Sequence, residues 1–190
     1  MNDTAFATAP ASSDGAYTTT AIALHWAAAL LIASNVALGL SMVDLPFSPQ
    51  KFRWYGWHKW IGITVFLLAA ARLGWRAFHP PPPPVAMPPW QRRAASAVHG
   101  LLYVLMLAIP FSGWIYSSST GISVVYLGLF PLPDLVGKDK VLAETLKAAH
   151  VTLNFALAAL VFVHVGAAFR HHWVDRDGVL RRMLPFLRRP

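Results

Sequence analysis

Four long apolar stretches dominate the sequence, and segments richer in proline, glycine and charge separate them. A transmembrane helix needs about 20 mostly apolar residues to cross a hydrocarbon core of roughly 30 Å. Each stretch reaches that length, so the pattern predicts an all-α membrane protein whose four helices pack as a bundle. The predicted helices cover residues 21–43, 57–78, 95–117 and 145–170.

The composition indicates that the solvent of these helices is a lipid bilayer. Of the 190 residues, 56% are hydrophobic and 13% are charged, and the mean hydropathy of +0.47 is high for an ordinary soluble domain. The chain contains no cysteine, which excludes a disulfide, an iron–sulfur cluster and a covalently attached c-type haem. Any metal cofactor is therefore expected to be held by other side chains.

Positive charge is concentrated at one end of the predicted bundle. Ten of the sixteen Lys and Arg flank the loop between the second and third helices or follow the fourth helix. Because cationic loops resist translocation, we expect this end and both termini to face the cytoplasm. The net charge of +8 then serves topology and anionic lipid headgroups, and no nucleic-acid partner is expected. The ten residues are Arg72, Arg76, Arg92, Arg93, Arg170, Arg176, Arg181, Arg182, Arg188 and Arg189.

The segments outside the helices suggest a simple domain organisation. Residues 1–18 are expected to form a flexible tail, 19–185 the membrane domain and 186–190 a basic tail. The proline-rich segment 79–90 predicts a stiff polyproline II spacer between the second and third helices. The apolar loop at about 118–144 is too short to span, so we expect it to cap the bundle or lie at the outer interface.

Histidines recur on one stripe of the fourth helix, where water is scarce. His150 and His164 return to within about 40° of each other on that helix and stand about 21 Å apart along its axis. His25 of the first helix lies at the depth of His164, and His58 of the second lies at the depth of His150. The spacing predicts two histidine pairs, one near each membrane face.

Two such pairs suit low-spin b-type haem, whose iron takes an imidazole on each side and whose apolar ring fits a bundle core. We therefore predict two non-covalent, bis-histidine b haems. A single histidine near a helix end is more often an interfacial residue bonded to a carbonyl or headgroup. The prediction of haem ligands therefore depends on the matched depths of the two pairs. The predicted iron ligands are His25 with His164 and His58 with His150.

Five segments, taken in order and spacing, resemble the bacterial cytochrome b561 family of small di-haem proteins of the inner membrane. The resemblance covers about residues 18–185 and implies haem ligation by the same two histidine pairs. It also implies a quinone site on the cytoplasmic side, formed by His99 and His171. The segments are "ALHWAAALL", "WHKWIGITVFLLAAARLGWR", "HPPPPPVAMPPW", "VHGLLYVLMLAIPFSGW" and "HVTLNFALAALVFVHVGAAFRHHWVDRDGVLRRMLP".

The implied quinone site has a chemical rationale. Quinone reduction takes up two electrons and two protons, so imidazoles that bond the carbonyls and relay protons suit it. The simpler alternative for His99 and His171 is hydrogen bonding at helix ends. Arg72 and Arg76 could support a quinone or the haem propionates, although anchoring at the inner interface is their simpler role.

Three functions remain open from the sequence. Resemblance to a superoxide oxidase implies electron transfer from superoxide at the outer haem to a membrane quinone, with outer cations steering the anion. The second is an electron-transfer subunit that serves a partner hydrogenase or dehydrogenase. The third is a His-dependent metal or proton transporter, which the matched depths and the lack of broken half-helices disfavour. The outer cations are Lys51, Arg53, Lys59, Lys138, Lys140 and Lys147, diluted by Asp44, Asp134, Asp139 and Glu144.

Overall fold

The computed structural model describes residues 15–184 of the chain. Four helices in this part are long and apolar enough to cross a membrane, which confirms the predicted all-α membrane fold. The predicted basic tail, 186–190, and most of the predicted N-terminal tail lie outside the described residues. The helices are α1 (Thr19–Val43), α2 (Pro49–Phe78), α3 (Pro89–Thr120) and α4 (Lys140–Trp173), followed by the short α5 (Val179–Met183).

Each long helix extends beyond its predicted range because capping residues lie further out than the apolar stretches. The Ser48 side chain accepts a hydrogen bond from the Lys51 amide, and Pro49 fits the first turn, so α2 begins well before the predicted residue 57. Asp139 caps α4 by accepting from two backbone amides. At the end of α3, Gly121 adopts a left-handed conformation with φ of 77°.

The two ends of the bundle have different structures. At the terminal end, which we define by Thr19, Phe78, Pro89 and Trp173, lie the proline-rich segment and α5. The opposite end, defined by Val43, Pro49, Thr120 and Lys140, is called the loop end.

A short hairpin covers part of the loop end. Strands β1 (Val125–Tyr126) and β2 (Phe130–Pro131) pair antiparallel. The indole of Trp60 on α2 donates to the Val125 carbonyl at 2.7 Å, and the Tyr126 hydroxyl lies 3.0 Å from the Thr64 hydroxyl. The loop between α3 and α4 is therefore held against α2 by side chains that α2 presents one turn apart.

The helices pack in chain order, α1 on α2, α2 on α3 and α3 on α4. Neither α1 nor α2 makes a comparable contact with α4 within residues 15–184. Side chains on the outer surface, such as Leu30 and Phe162, are apolar and exposed, as a lipid-facing surface requires. Two buried clusters hold the packed helices together: Ala28, Val65, Ala69 and Met106 in one, and Leu105, Ile109 and Leu157 in the other.

Candidate functional site

One histidine pair lies at the loop end, where His58 of α2 faces His150 of α4. Their ring centroids are 6.2 Å apart and the rings are inclined at 80°. His150 Nδ1 lies 3.1 Å from the Ile109 carbonyl and 2.9 Å from the Ser112 hydroxyl, and His58 Nδ1 lies 3.2 Å from the Asn35 carbonyl. An Nδ1–H bonded to a carbonyl leaves the Nε2 lone pair of the same ring available to a metal.

Two glycines leave space for these rings on neighbouring helices. A Cβ atom added at Gly113 would lie 3.0 Å from Cε1 of His150, and one added at Gly39 would lie 3.1 Å from Cε1 of His58. Both distances are shorter than ordinary carbon–carbon contacts of about 3.5–4.0 Å. A larger side chain at either glycine would therefore displace the ring. Neither glycine was predicted from the sequence to be part of the site.

The second histidine pair lies toward the terminal end, where His25 of α1 faces His164 of α4. Their ring centroids are also 6.2 Å apart, with the planes inclined at 63°. His99 of α3 packs edge-on against His164, with centroids 5.1 Å apart. Next to His25, the Trp26 indole donates to the Met183 carbonyl at 2.8 Å. This bond ties α1 to the short helix α5.

In each pair, two histidines from different helices face each other with ring centroids 6.2 Å apart. At the loop end, backbone carbonyls bond the Nδ1 atoms of both rings. Two imidazoles placed in this way would hold a metal cofactor between them. Neutral nitrogen donors in an apolar bundle are also the ligands typical of non-covalent haem. These residues therefore fit a b-type haem at each end.

The remaining predicted residues lie near or beyond the terminal-end pair. His99 is exposed on the bundle surface, and its Nδ1 lies 2.7 Å from the Ala95 carbonyl. The Arg72 guanidinium carbon lies 5.3 Å from the centre of the Tyr103 ring, and Arg76 is exposed one turn further along α2. The structure therefore places these three polar side chains close to the end of the bundle.

His171 has a different environment from His99. It is half-buried, and its Nδ1 lies 2.6 Å from Oδ2 of Asp177. Within residues 15–184, no hydrogen bond or ring contact joins His171 to His99 or His164. Asp177 was not predicted from the sequence to be a site residue, because it follows α4 in a stretch without helical periodicity.

Comparison with known proteins gives consistent matches. The family model for prokaryotic cytochrome b561 matches residues 16–186. Cytochrome b561 homolog 2 of Escherichia coli is 34% identical over 85% of this chain and 87% of its own length. Cytochrome b561 homolog 1 of the same organism is 32% identical, over 89% of this chain and 97% of its own. The probable superoxide oxidase CybB of Yersinia pestis is 31% identical, over 89% and 96% respectively.

These matches cover all four membrane helices and confirm the class of protein predicted from the sequence. The protein is a multi-pass protein of the bacterial inner membrane that binds b-type haem and transfers electrons across the bilayer. The chain belongs to the prokaryotic cytochrome b561 family.

Proposed function

We propose that this protein takes electrons from superoxide at the loop end and delivers them to a membrane quinone at the terminal end, through two b haems. The observation that carries the proposal is the presence of one histidine pair near each end, both with centroids 6.2 Å apart. When bound, each haem supplies a one-electron carrier. Superoxide is favoured as the donor because a relative 31% identical over most of the chain is named a probable superoxide oxidase.

The residues proposed to hold the haems are those of the two pairs. His58 and His150 would bind the loop-end haem, with their Nδ1 atoms bonded to backbone carbonyls. His25 and His164 would bind the terminal-end haem. Because the two histidines of α4 stand about 21 Å apart by helical rise, the two sites lie at different depths of the membrane.

The proposed orientation places the loop end outside the cytoplasm. The terminal end carries most of the Arg residues, and cationic segments are retained on the cytoplasmic side. A donor at the loop end would then meet the outer haem, and quinone reduction would take up protons on the cytoplasmic side.

The loop end offers positive charge close to the outer histidine pair. Lys59 follows His58 directly in α2, and its ammonium donates to the Ser117 hydroxyl at 2.7 Å. The carboxylate of Asp139 accepts hydrogen bonds from the first amides of α4. The positive end of the α4 dipole therefore partly offsets the negative charge of Asp139. A net positive surface raises the local concentration of a small anion such as superoxide.

At the terminal end, His99 and His171 are the proposed quinone-binding residues. His99 packs on the haem-ligand candidate His164 and is exposed. We propose that a quinone dissolved in the bilayer reaches it from the side of the bundle. Arg72 and Arg76 supply positive charge on α2, which suits either a reduced quinone oxygen or a haem propionate.

A stopped-flow experiment on the purified holoprotein tests this proposal. Superoxide is mixed first with the protein alone, and in a second experiment with the protein and a water-soluble quinone analogue. Haem reduction and quinol formation are followed separately. We expect superoxide to reduce the haems. When the quinone analogue is present, we also expect quinol to form. Haems that dithionite reduces but superoxide does not would contradict superoxide as donor and favour the partner-dependent electron-transfer subunit.

A further inference from the structure

Asp177 binds His171 through one oxygen of its carboxylate. Asp177 Oδ2 lies 2.6 Å from His171 Nδ1, and the two side chains are only 22% and 18% exposed, respectively. The other carboxylate oxygen, Oδ1, accepts from the Val179 amide at 3.0 Å. One carboxylate therefore bonds the histidine ring and the start of α5 at the same time, which holds it in one orientation.

The local chain path explains why this aspartate returns to the helix that it follows. Arg176 adopts a left-handed conformation with φ of 52°, and this reverses the chain after α4. The Asp177 amide then donates to the His171 carbonyl at 3.1 Å. Further along, the Arg182 guanidinium donates to the Pro83 carbonyl at 2.6 Å. The segment after α4 is thus bonded to α4 at Asp177 and to the proline-rich segment at Arg182.

A second carboxylate lies near the same ring but is placed less well. Asp175 Oδ2 lies 3.4 Å from His171 Nδ1, which is long for a charge-assisted hydrogen bond of about 2.7–2.9 Å. Its other oxygen pairs with the Arg170 guanidinium at 3.4 Å. Asp177 is therefore the hydrogen-bond partner of His171, and Asp175 serves as an internal comparison.

We propose that Asp177 is a positioning residue that holds His171 with its proton on Nδ1, so that Nε2 exchanges protons with the quinone. This inference rests on the proposed quinone reduction. A carboxylate can only accept a hydrogen bond, so it selects the ring tautomer that donates from Nδ1. The same carboxylate holds the ring in one orientation while Nε2 exchanges a proton.

Quinone reduction at this site takes up two electrons and two protons. Two superoxide anions lose one electron each and become two molecules of O₂. One quinone gains these two electrons and two protons and becomes quinol. At one quinone oxygen, the O–H bond forms as the N–H bond at Nε2 of His171 breaks, and the other quinone oxygen takes its proton from water. The ring then recovers a proton from water on the cytoplasmic side, and the Nδ1 proton stays between the ring and Asp177 throughout.

Replacing Asp177 by Asn separates positioning from a merely structural role. The side-chain carbonyl oxygen of Asn accepts a hydrogen bond as a carboxylate oxygen does, so it keeps the bond from the Val179 amide. The side-chain NH2 group of the Asn then faces Nδ1 of His171. If the ring kept its proton on Nδ1, two donors would face each other. The preferred tautomer therefore moves its proton to Nε2, and the doubly protonated ring loses its carboxylate partner.

The kinetic test uses the holoprotein, with superoxide as donor and the quinone analogue as acceptor. For Asp177→Asn we expect kcat of quinol formation to fall by about 10²-fold or more, with a smaller change in KM and normal haem reduction by superoxide. The matched variant Asp175→Asn should stay within about threefold of the parent, and Asp177→Glu should recover part of the lost rate. Parental quinol formation in Asp177→Asn, or equal losses in both Asn variants, would overturn the inference.

Nitrogen-15 NMR of histidine-labelled holoprotein tests the ring without reference to turnover. His171→Gln identifies the His171 resonances by their loss. We expect a protonated Nδ1 in the parent and in Asp175→Asn, and a protonated Nε2 in Asp177→Asn. If His171 of the parent protein is protonated on Nε2 alone, Asp177 does not position the ring as proposed. If the parent protein shows the expected tautomer but forms no quinol, the proposed function is wrong. The proton-transfer role of Asp177 and His171 is then rejected as well, although their hydrogen bond is confirmed.

Discussion

His58 and His150 face each other at 6.2 Å although their helices, α2 and α4, share no extensive contact. Each ring is instead supported from a third helix. The Asn35 carbonyl of α1 bonds His58, and the Ile109 carbonyl of α3 bonds His150. The loop-end site is therefore built from all four membrane helices, and changes on helices that provide no ligand should still affect it.

The holoprotein should contain two b haems for each polypeptide. Two separate histidine pairs would each hold one haem, and the cysteine-free chain cannot attach haem covalently. The pyridine haemochrome assay, combined with amino-acid quantitation, measures this ratio. One haem per chain would contradict the assignment of one of the two pairs.

Removal of one ligand should affect one haem and spare the other. His58→Ala is expected to lose the low-spin signal of the loop-end haem, because His150 alone cannot supply both axial ligands. His25→Ala should lose the terminal-end signal in the same way. Electron paramagnetic resonance of the oxidised proteins distinguishes the two signals. Retention of both signals in either variant would show that the pairs are assigned incorrectly.

The close approach of Gly113 to His150 should make the loop-end haem sensitive to a single methyl group. Gly113→Ala adds a Cβ 3.0 Å from the ring, so we expect a shifted or weakened low-spin signal at the loop end. The control is Gly100→Ala on the same helix, where an added Cβ meets nothing within 4 Å. It should leave that signal unchanged and stabilise α3 by about 0.5–1 kcal/mol. Identical spectra for the two variants would argue against steric support of His150.

Both termini should face the cytoplasm. This follows from the Arg residues at the terminal end and from the even number of predicted membrane crossings. A C-terminal fusion to alkaline phosphatase should be inactive, while a fusion within the loop between α1 and α2 should be active. The opposite result would place the proposed quinone site on the outer face.

Quinol formation should depend on His99 and His171, whereas haem reduction by superoxide should not. Both residues lie toward the terminal end, far from the proposed entry of electrons. The double variant His99→Ala, His171→Ala is expected to lose about 10²-fold or more in quinol turnover if the rings deliver protons. Because His99 touches His164, the haem content of the variant is measured first. Unchanged quinol formation with both haems present would place the quinone elsewhere.

The number of membrane helices and the stripe of histidines on α4 could be predicted from the sequence because both are local properties. The number of consecutive apolar residues decides whether a segment can cross the bilayer. Helical periodicity decides that His150 and His164 share a face, whatever surrounds α4. Matching residues by depth also selected the partners His58 and His25, since antiparallel helices of similar length must begin and end at the same two surfaces.

Contacts between elements could not be predicted in this way, because they depend on how each helix is rotated about its axis when it packs. Gly39 and Gly113 are ordinary helical glycines in the sequence, and only the packed bundle places a histidine ring against each. Asp177 likewise follows a helix without any periodic signal. Its bond to His171 exists because the chain reverses at Arg176 and is held there by bonds to α1 and the proline-rich segment. Local periodicity specifies the helices, whereas packing and chain reversal bring these side chains together.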